Sequence, residues 1–225
     1  MNISNKVFFT IIISVISISI AFGLVVRGSI KEYKYNDIFD NSKSYSYYPY
    51  DSVEYSNGTY IDIDKIEDID SSYKYIIKGK SLKQRRVLDG AVLTEIQVCD
   101  VLKGDISSDR IEIYEPMTVK GEFLSTFDGY NFIKDEKEYI FCLTDLKDGV
   151  KNISEDNIKI YNYATPFYGK FPIEYEESEF KVYIKDDKAP ARMYNEFEGV
   201  EQVFSSENRK QLYFKEYNRL IKMFS

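Results

Sequence analysis

Histidine is absent from this chain of 225 residues, and that absence narrows its chemistry more than any motif does. Histidine alone has an unperturbed pKa near neutrality, so the chain has no Ser-His-Asp triad, Cys-His pair or His-ligated metal site. Tryptophan is also absent, which leaves 21 Tyr and 15 Phe as rings for stacking. Carboxylates, Lys, Tyr and Cys remain available, but no spaced pair of carboxylates stands out. We therefore expect a protein that is not an enzyme and holds no metal or cofactor.

The two cysteines, Cys99 and Cys142, lie far apart and belong to no CxxC pair or zinc-ligand set. In an exported domain they could form a disulfide, which the chain-entropy model values at about 4 kcal/mol for such a loop. Alternatively, they are two separate thiols buried in core strands, where free Cys packs as a small hydrophobe. The sequence leaves both interpretations open, because it does not show whether the two strands are neighbours.

A long connection at residues 115–137 is unusually rich in aromatic side chains. These side chains are Phe123, Phe127, Tyr130 and Phe132. Such a loop can fold over the end of a barrel as a plug, or it can present a binding face. The sequence predicts that one of these two roles belongs to the four rings.

Acidic residues cluster between positions 62 and 70. The cluster lacks the central Gly and terminal Glu of a calcium-binding helix–loop–helix. Its apolar residues Ile66, Ile69 and Tyr73 recur at helical spacing. A short amphipathic helix with an acidic, solvated face is therefore the predicted structure, and a calcium site is the alternative.

An uncharged apolar run at residues 7–26 precedes all of these features. As a helix it would span roughly 30 Å, the thickness of a bilayer's hydrocarbon core. It exceeds the usual h-region of a signal peptide, so an uncleaved anchor is favoured over a signal cleaved after Ser19-Ile20-Ala21. We expect residues 1–27 to be a single-pass membrane segment. If it is cleaved instead, the protein is secreted.

Two features of the sequence conflict over the side of the membrane on which the domain lies. Arg27, Lys31 and Lys34 follow the apolar run, whereas Lys6 alone precedes it, and this imbalance favours a cytoplasmic domain. A very short tail before a single apolar run is typical of an export signal. We expect the domain outside the cell, on the strength of the second feature.

Composition divides the remainder into a stalk and one domain. Residues 28–50 are rich in Tyr and Ser without a sustained period, which predicts a flexible stalk. Residues 51–225 are long enough for one domain with its own core. The net charge of −7 without a basic stripe argues against nucleic acid as a partner.

Alternating apolar residues predict strands in the middle of the chain. The clearest segments are 75–80, 91–101, 110–114 and 139–143, with weaker ones at 158–163 and 180–185, and a hairpin is predicted at Asn57-Gly58. Pro116 and Gly121 are expected to end the strand that begins at Arg110. The period changes after Ser206 and predicts a helix over 207–223, whose apolar stripe packs on the domain or, alternatively, contacts a membrane or partner.

The succession Tyr75-Ile-Ile-Lys-Gly-Lys, Thr94-Glu-Ile-Gln-Val-Cys-Asp-Val-Leu-Lys-Gly104, Ile111-Glu-Ile113 and Glu138-Tyr-Ile-Phe-Cys-Leu143 carries a resemblance. It is similar to uncharacterised exported proteins of Gram-positive bacteria with an OB-like barrel akin to netrin and TIMP modules. The resemblance covers about residues 65–170 and implies a mainly β fold. The implied fold is a partly closed antiparallel barrel with a short N-terminal helix, a C-terminal amphipathic helix and a preceding transmembrane helix. The TIMP mechanism needs an N-terminal Cys, which the stalk lacks, so it is not implied here.

Three functional hypotheses follow from these features. The first is a membrane-anchored, extracytoplasmic, non-enzymatic binding or structural module of unknown ligand. The second is a TIMP-like inhibitor or chaperone-like partner of a secreted or cell-wall-associated protein, acting through the aromatic loop. The third, a hydrolase that relies on carboxylates, has the least support because no suitable pair is evident.

Overall fold

The computed structural model describes residues 5–29, 44–50, 71–88, 90–146, 152–153, 157–183 and 192–224. The chain divides into two compact units, Met1–Tyr33 and Lys34–Ser225. The hairpin expected at Asn57-Gly58 and the acidic helix expected at residues 62–70 lie outside the described residues.

The described residues of the first unit form the helix α1 (Asn5–Ser29), as the apolar run predicts. Its stretch Val7–Gly28 has 22 residues with a mean hydropathy of 2.6, so it is long and apolar enough to cross a membrane. The helix continues through Gly28 and Ser29, two residues past the predicted segment 1–27.

The second unit is mainly β, as expected. Its strands are β1 (Ser46–Tyr50), β2 (Tyr75–Leu88), β3 (Ala91–Lys103), β4 (Arg110–Lys120), β5 (Phe123–Phe127), β6 (Glu138–Asp145), β7 (Ile160–Tyr163), β8 (Lys170–Pro172), β9 (Phe180–Val182), β10 (Arg192–Met193) and β11 (Gln202–Phe204). The C-terminal helix, α2, spans Glu207–Phe224. Strands β9 and β11 form a separate parallel pair.

The large sheet runs in the order β10-β1-β5-β4-β3-β2-β6-β7, with β8 beside β6. Strand β4 also pairs with β7, in parallel, through Glu112, Ile113 and Tyr114. The strands β4, β3, β2, β6 and β7 therefore each have two neighbours within this group. The remaining strands β5, β1 and β10 extend the sheet beyond β4.

Strand β4 continues through Pro116, where the sequence predicts its end. The pairing with β3 shifts between Val92↔Glu115 and Ala91↔Thr118, so two extra residues bulge from β4 at that point. A proline fits there because a bulged residue need not donate its N–H to the ladder. The bulge allows the strand to resume and form a hairpin with β5.

Strand β6 is buried on both faces, as its continuous apolar run predicts. Ile140 and Cys142 contribute to one cluster, while Tyr139, Phe141 and Leu143 point to the opposite face and are buried too. The cluster contains Tyr73, Ile76, Ile140, Cys142, Phe167, Tyr168, Phe171, Phe180, Phe204, Tyr213, Tyr217 and Leu220. Through this cluster, the face of β6 that carries Ile140 and Cys142 packs against the C-terminal helix.

Helix α2 matches the predicted boundaries to within one residue. The Arg209 N–H donates to the Ser206 hydroxyl at 3.2 Å, which makes Ser206 the N-cap. The predicted apolar stripe faces the domain, because Tyr213, Tyr217 and Leu220 all lie in the buried cluster. The apolar stripe is thus used within the fold and is not presented to a membrane.

The expected stalk differs from the structure at both ends. Gly28 and Ser29 belong to α1, and Ser46–Tyr50 forms β1, which pairs with β5 in parallel and with β10. The strand escapes notice because five residues are too few to show a period. Residues 30–43 lie outside the described parts of the chain.

Candidate functional site

The two cysteines are separate thiols in the structure, one exposed and one buried. Cys99 lies on β3 and Cys142 on β6, and strand β2 lies between them. Two strand spacings amount to about 9–10 Å, beyond the roughly 7 Å that a disulfide tolerates between Cα atoms. The disulfide alternative is therefore not realised. The buried-thiol alternative describes Cys142 alone.

The four rings of the aromatic connection divide into two pairs. Tyr130 is fully buried and Phe132 is 4% exposed, whereas Phe123 is 52% exposed and Phe127 is half-buried. The plug interpretation thus describes Tyr130 and Phe132. The binding-face interpretation remains available to Phe123 and Phe127.

Strand β5 explains the exposure of Phe123 and Phe127. Its residues alternate between the two faces of the sheet, with Leu124 and Thr126 buried. In β1, Tyr48 pairs with Ser125, and its ring centroid lies 6.0 Å from that of Phe123. We call the group Tyr48, Phe123, Phe127 and Met193 the aromatic face. Met193, 36% exposed, lies across Ser46 from Phe123.

Gly129 sets the course of the buried half of the connection. Its φ of +68° lies in the left-handed region, and a Cβ at this position would lie 1.7 Å from the Val203 carbonyl oxygen. The Val203 N–H donates to the Gly129 carbonyl at 2.8 Å. The connection can therefore approach β11 this closely only with a glycine, and Tyr130 follows directly into the core.

The buried carboxylate of Glu115 is hydrogen-bonded to residues 130 and 133 in the buried half of the connection. It accepts hydrogen bonds from the Tyr130 hydroxyl at 2.9 Å, from the Ile133 N–H at 3.0 Å and from the Thr94 hydroxyl. The Nε atom of Arg85, whose side chain is 2% exposed, lies 3.7 Å from the carboxylate. Strands β2, β3 and β4 are thus linked to residues 130–133 through one charged group.

A second buried carboxylate, Glu201, is shared by three lysines. The Nζ atoms of Lys170, Lys137 and Lys134 lie 2.8, 3.1 and 3.3 Å from its oxygens. The Tyr139 hydroxyl donates to it at 2.9 Å. Glu201 is 1% exposed and Lys170 3% exposed, so this pair is removed from water.

Lys170 also contacts the buried residues Tyr130 and Phe132 directly. Its ammonium group donates to the Phe132 carbonyl at 3.1 Å and lies 5.0 and 5.1 Å from the ring centroids of Tyr130 and Tyr139. These contacts are cation–π interactions at buried positions. The two carboxylate clusters therefore meet at Tyr130, whose hydroxyl also lies 3.0 Å from that of Tyr163.

Burial and charge act differently on the two partners of the Lys170–Glu201 pair. Burial lowers the pKa of Lys170 below its ordinary 10.5, and the carboxylates of Glu201 and Glu115 only partly oppose this effect. Burial alone would raise the pKa of Glu201, but three ammonium groups outweigh it and lower that pKa to about 2. The net effect of the environment thus favours the charged form of Glu201 and disfavours the charged form of Lys170.

The geometry of these clusters suits anchoring of the connection. The side chains of Arg85, Glu115, Lys170 and Glu201 are each no more than 3% exposed, so they offer no surface to a substrate. Instead they bind residues 130–133 and 201 to the strands. Within the described ranges, no group of three or more Cys, Asp or Glu could hold a metal ion.

Sequence reasoning missed Arg85, Glu115, Lys170 and Glu201 as buried charged residues. Charged side chains are seldom buried, and each of these is neutralised by a partner distant in sequence. One local signal was present, because Lys170 lies between Phe167-Tyr168-Gly169 and Phe171, an apolar context unusual for a solvated lysine.

Other expectations can be checked in the structure directly. Gly104, directly after β3, has a φ of +83°, and neighbouring Lys103 is exposed. The aromatic connection expected at residues 115–137 is shorter than predicted, because residues 115–120 continue β4 and residues 123–127 form β5. Comparison of the chain with protein-family models, curated protein sequences and solved structures found no match.

Proposed function

We propose that this protein is a membrane-anchored, non-enzymatic binding module whose domain lies outside the cell and binds through the aromatic face. The observation that carries the proposal is the division of the aromatic connection. One half is fixed in the core, and the other half presents Phe123, 52% exposed, beside Tyr48. A rigid support under exposed rings is the arrangement that binding surfaces share.

An OB-like barrel is the architecture that we propose for the domain. The support is the pairing sequence β4-β3-β2-β6-β7, in which β7 pairs again with β4 in parallel. Residues 128–137 would fill one end of this barrel. Such a scaffold holds the β4–β5 hairpin by a stiff strand, so that the aromatic face keeps its shape without a ligand.

The experiment for binding compares two substitutions of exposed apolar residues. Phe123→Ser changes the aromatic face, and Met223→Ser changes a residue of α2 that is 55% exposed. We expect capture of a partner from solubilised membrane and cell-wall fractions to be lost with Phe123→Ser and kept with Met223→Ser. Equal capture by both variants would contradict the proposal. A captured secreted or wall-associated protein would favour the inhibitor or chaperone-like role.

The side of the membrane can be tested with a native residue. Cys99 is exposed and Cys142 is fully buried, so a membrane-impermeant maleimide reports on Cys99 alone. We expect labelling in intact cells, as an extracytoplasmic domain requires. Labelling only after lysis would place the domain inside, in agreement with the positive charges at Arg27, Lys31 and Lys34.

A further inference from the structure

Strand β1 pairs with strands that come from distant parts of the chain. It pairs in parallel with β5 along its five residues, and with β10 through Ser46 and Tyr47. Pro49, its fourth residue, has no N–H to donate to a neighbouring strand. The strands β2 and β3 have 14 and 13 residues, so β1 offers far fewer main-chain groups for pairing than they do.

Alternate side chains of this segment point into the domain. Tyr45, which precedes β1, is 5% exposed, and Tyr47 is 2% exposed. Ser46 and Tyr48 point to the other side and are half-buried. The segment thus presents two tyrosine rings to the interior, while Tyr48 belongs to the aromatic face.

The interior surface that receives Tyr47 is built by β5 and by the 3₁₀ helix that begins at Tyr194. The Tyr47 ring centroid lies 4.6 Å from that of Phe197 and 5.8 Å from that of Tyr194. Its hydroxyl lies 3.2 Å from the Thr126 hydroxyl. Leu124, the partner of Tyr47 in the ladder, is fully buried on the same side. We call Leu124, Thr126, Tyr194 and Phe197 the strand groove.

Main-chain hydrogen bonds fix the first residues of the segment in this groove. The Tyr194 N–H donates to the Tyr45 carbonyl at 2.9 Å, and the Ser46 N–H donates to the Glu122 carbonyl at 3.0 Å. An extended peptide that binds a sheet uses the same two elements, since main-chain bonds supply affinity and pockets for alternate side chains supply specificity. The segment therefore contacts the domain as a bound peptide would.

The order of elements along the chain makes β1 the first strand that a pull on the anchor would reach. Residues 30–43 join α1 to the described chain that leads into β1. Elements with few pairings and few buried side chains are those that open locally while the rest of a domain stays folded. In the described sheet the partners of β1 are β5 and β10, so its release leaves the group β4-β3-β2-β6-β7 paired.

We propose that the strand groove is a binding site for an extended segment with aromatic side chains at alternate positions, and that β1 occupies it as a releasable ligand of the same chain. This site is distinct from the aromatic face, but the two are coupled through adjacent residues. Release of Tyr47 from the groove also withdraws Tyr48 from its place beside Phe123. Occupancy of the groove therefore controls the shape of the aromatic face.

The first test measures binding of a peptide to the full chain in phosphatidylcholine nanodiscs. The peptide has the sequence of residues 44–50 and a fluorescein label, and anisotropy reports binding. Its apparent dissociation constant rises as the fraction of chains with an open groove falls. Tyr47→Ala in the full chain weakens the resident strand, so this variant should bind the peptide about tenfold more tightly than the unaltered chain. Met223→Ser, on the exposed side of α2, is the control and should bind like the unaltered chain.

Two altered peptides test whether the groove recognises the side chain that it holds in the structure. The peptide with Tyr47→Ala should bind about tenfold more weakly, because it lacks the ring that contacts Phe197. The peptide with Tyr48→Ala should bind like the original, because Tyr48 points away from the groove. Absence of binding to the Tyr47→Ala chain, or equal affinity of the two altered peptides, would overturn the proposal.

Hydrogen exchange tests release of β1 in the unaltered chain. We expect the amides of β1 to exchange about 100-fold faster than those of residues 92–98 in β3, and Tyr47→Ala to accelerate exchange in β1 alone. Equal rates in the two strands would mean that β1 opens only when the domain unfolds, and this result would also overturn the proposal. None of these measurements depends on a partner of the aromatic face, so their outcome is separate from that of the capture experiment.

Discussion

Glu201 offers the sharpest test of how the interior is held together. The substitution Glu201→Gln keeps the shape of the side chain and its bond from Tyr139 but removes the charge that Lys170, Lys134 and Lys137 share. Lys170 is then buried without this counter-ion. Removing one member of a buried ion pair typically costs about 3–5 kcal/mol.

The pKa of Glu201 gives a second route to the same quantity. It falls from an ordinary 4.5 to about 2 in the folded protein, and this difference corresponds to about 3 kcal/mol. Because the folded-state pKa lies below the unfolded-state pKa, this stability is present above pH 4.5. It is lost as the pH falls from 4.5 toward 2. The two routes agree, so we expect a loss of about 3 kcal/mol at pH 7.

The reciprocal substitution, Lys170→Met, should cost less, about 1–2 kcal/mol, most of it because the buried Phe132 carbonyl loses its donor. Glu201 then keeps Lys137 at 3.1 Å and Lys134 at 3.3 Å, and the cost of burying the Lys170 ammonium disappears. Urea unfolding monitored by circular dichroism measures both variants. With a slope of about 2 kcal/mol per M, Glu201→Gln should lower the midpoint by about 1.5 M.

Two results would refute this account of the pair. One is an equal loss in Glu201→Gln and Lys170→Met, which would mean that the other two lysines do not stabilise the carboxylate. The other is an unchanged dependence of stability on pH between 4.5 and 2 in Glu201→Gln. An exposed carboxylate, Glu122→Gln, is the control and should change stability by no more than about 0.5 kcal/mol.

Three further predictions concern the glycines, the thiols and the tyrosines. Gly129→Ala should lower the free energy of unfolding by more than about 2 kcal/mol, because the new Cβ would meet the Val203 carbonyl. Gly121→Ala should lower it by only about 1 kcal/mol, because Gly121 has a φ of +62° but open space around it. Equal urea midpoints for the two variants would contradict this prediction. A thiol reagent should modify Cys99 but not Cys142 until the protein unfolds, and reaction of both native thiols at one rate would contradict their assigned exposures. Burial raises the pKa of a group of tyrosines, so stability should be lost as the pH rises above 10, and phenolate absorbance should show this group ionising only on unfolding. The group is Tyr47, Tyr73, Tyr130, Tyr139, Tyr163 and Tyr213.

Local patterns predicted those parts of the fold in which neighbours in sequence share a face. The apolar run predicted α1, and the apolar stripe from Tyr213 to Phe224 predicted α2. Alternation of apolar and polar residues predicted the long strands. Each of these elements repeats its period several times, so one irregular residue does not hide it. Strand β1 has too few residues to show a period, so its composition alone places it in the predicted stalk.

The interior could not be predicted in this way, because its contacts join residues that are distant in sequence. Glu115 on β4 meets Arg85 on β2 and Tyr130 beyond β5. Lys170 meets Glu201 across 31 positions. No local period records either meeting. The same reason explains why the four rings of residues 115–137 were treated as one group, although a turn at Gly129 sends the last two inward.

Helix α2 has a consequence for how the protein is made. It supplies Tyr213, Tyr217 and Leu220 to a core whose other members begin at Tyr73, so it leaves the ribosome after all of them. At about 5–20 residues per second, synthesis from Tyr73 to Leu220 takes on the order of 7–30 s, and until its end this core lacks the residues of α2. The apolar segment α1 emerges before any of these residues. A nascent chain can therefore reach the membrane before its β domain is able to close, so any translocation of the domain meets an unfolded substrate.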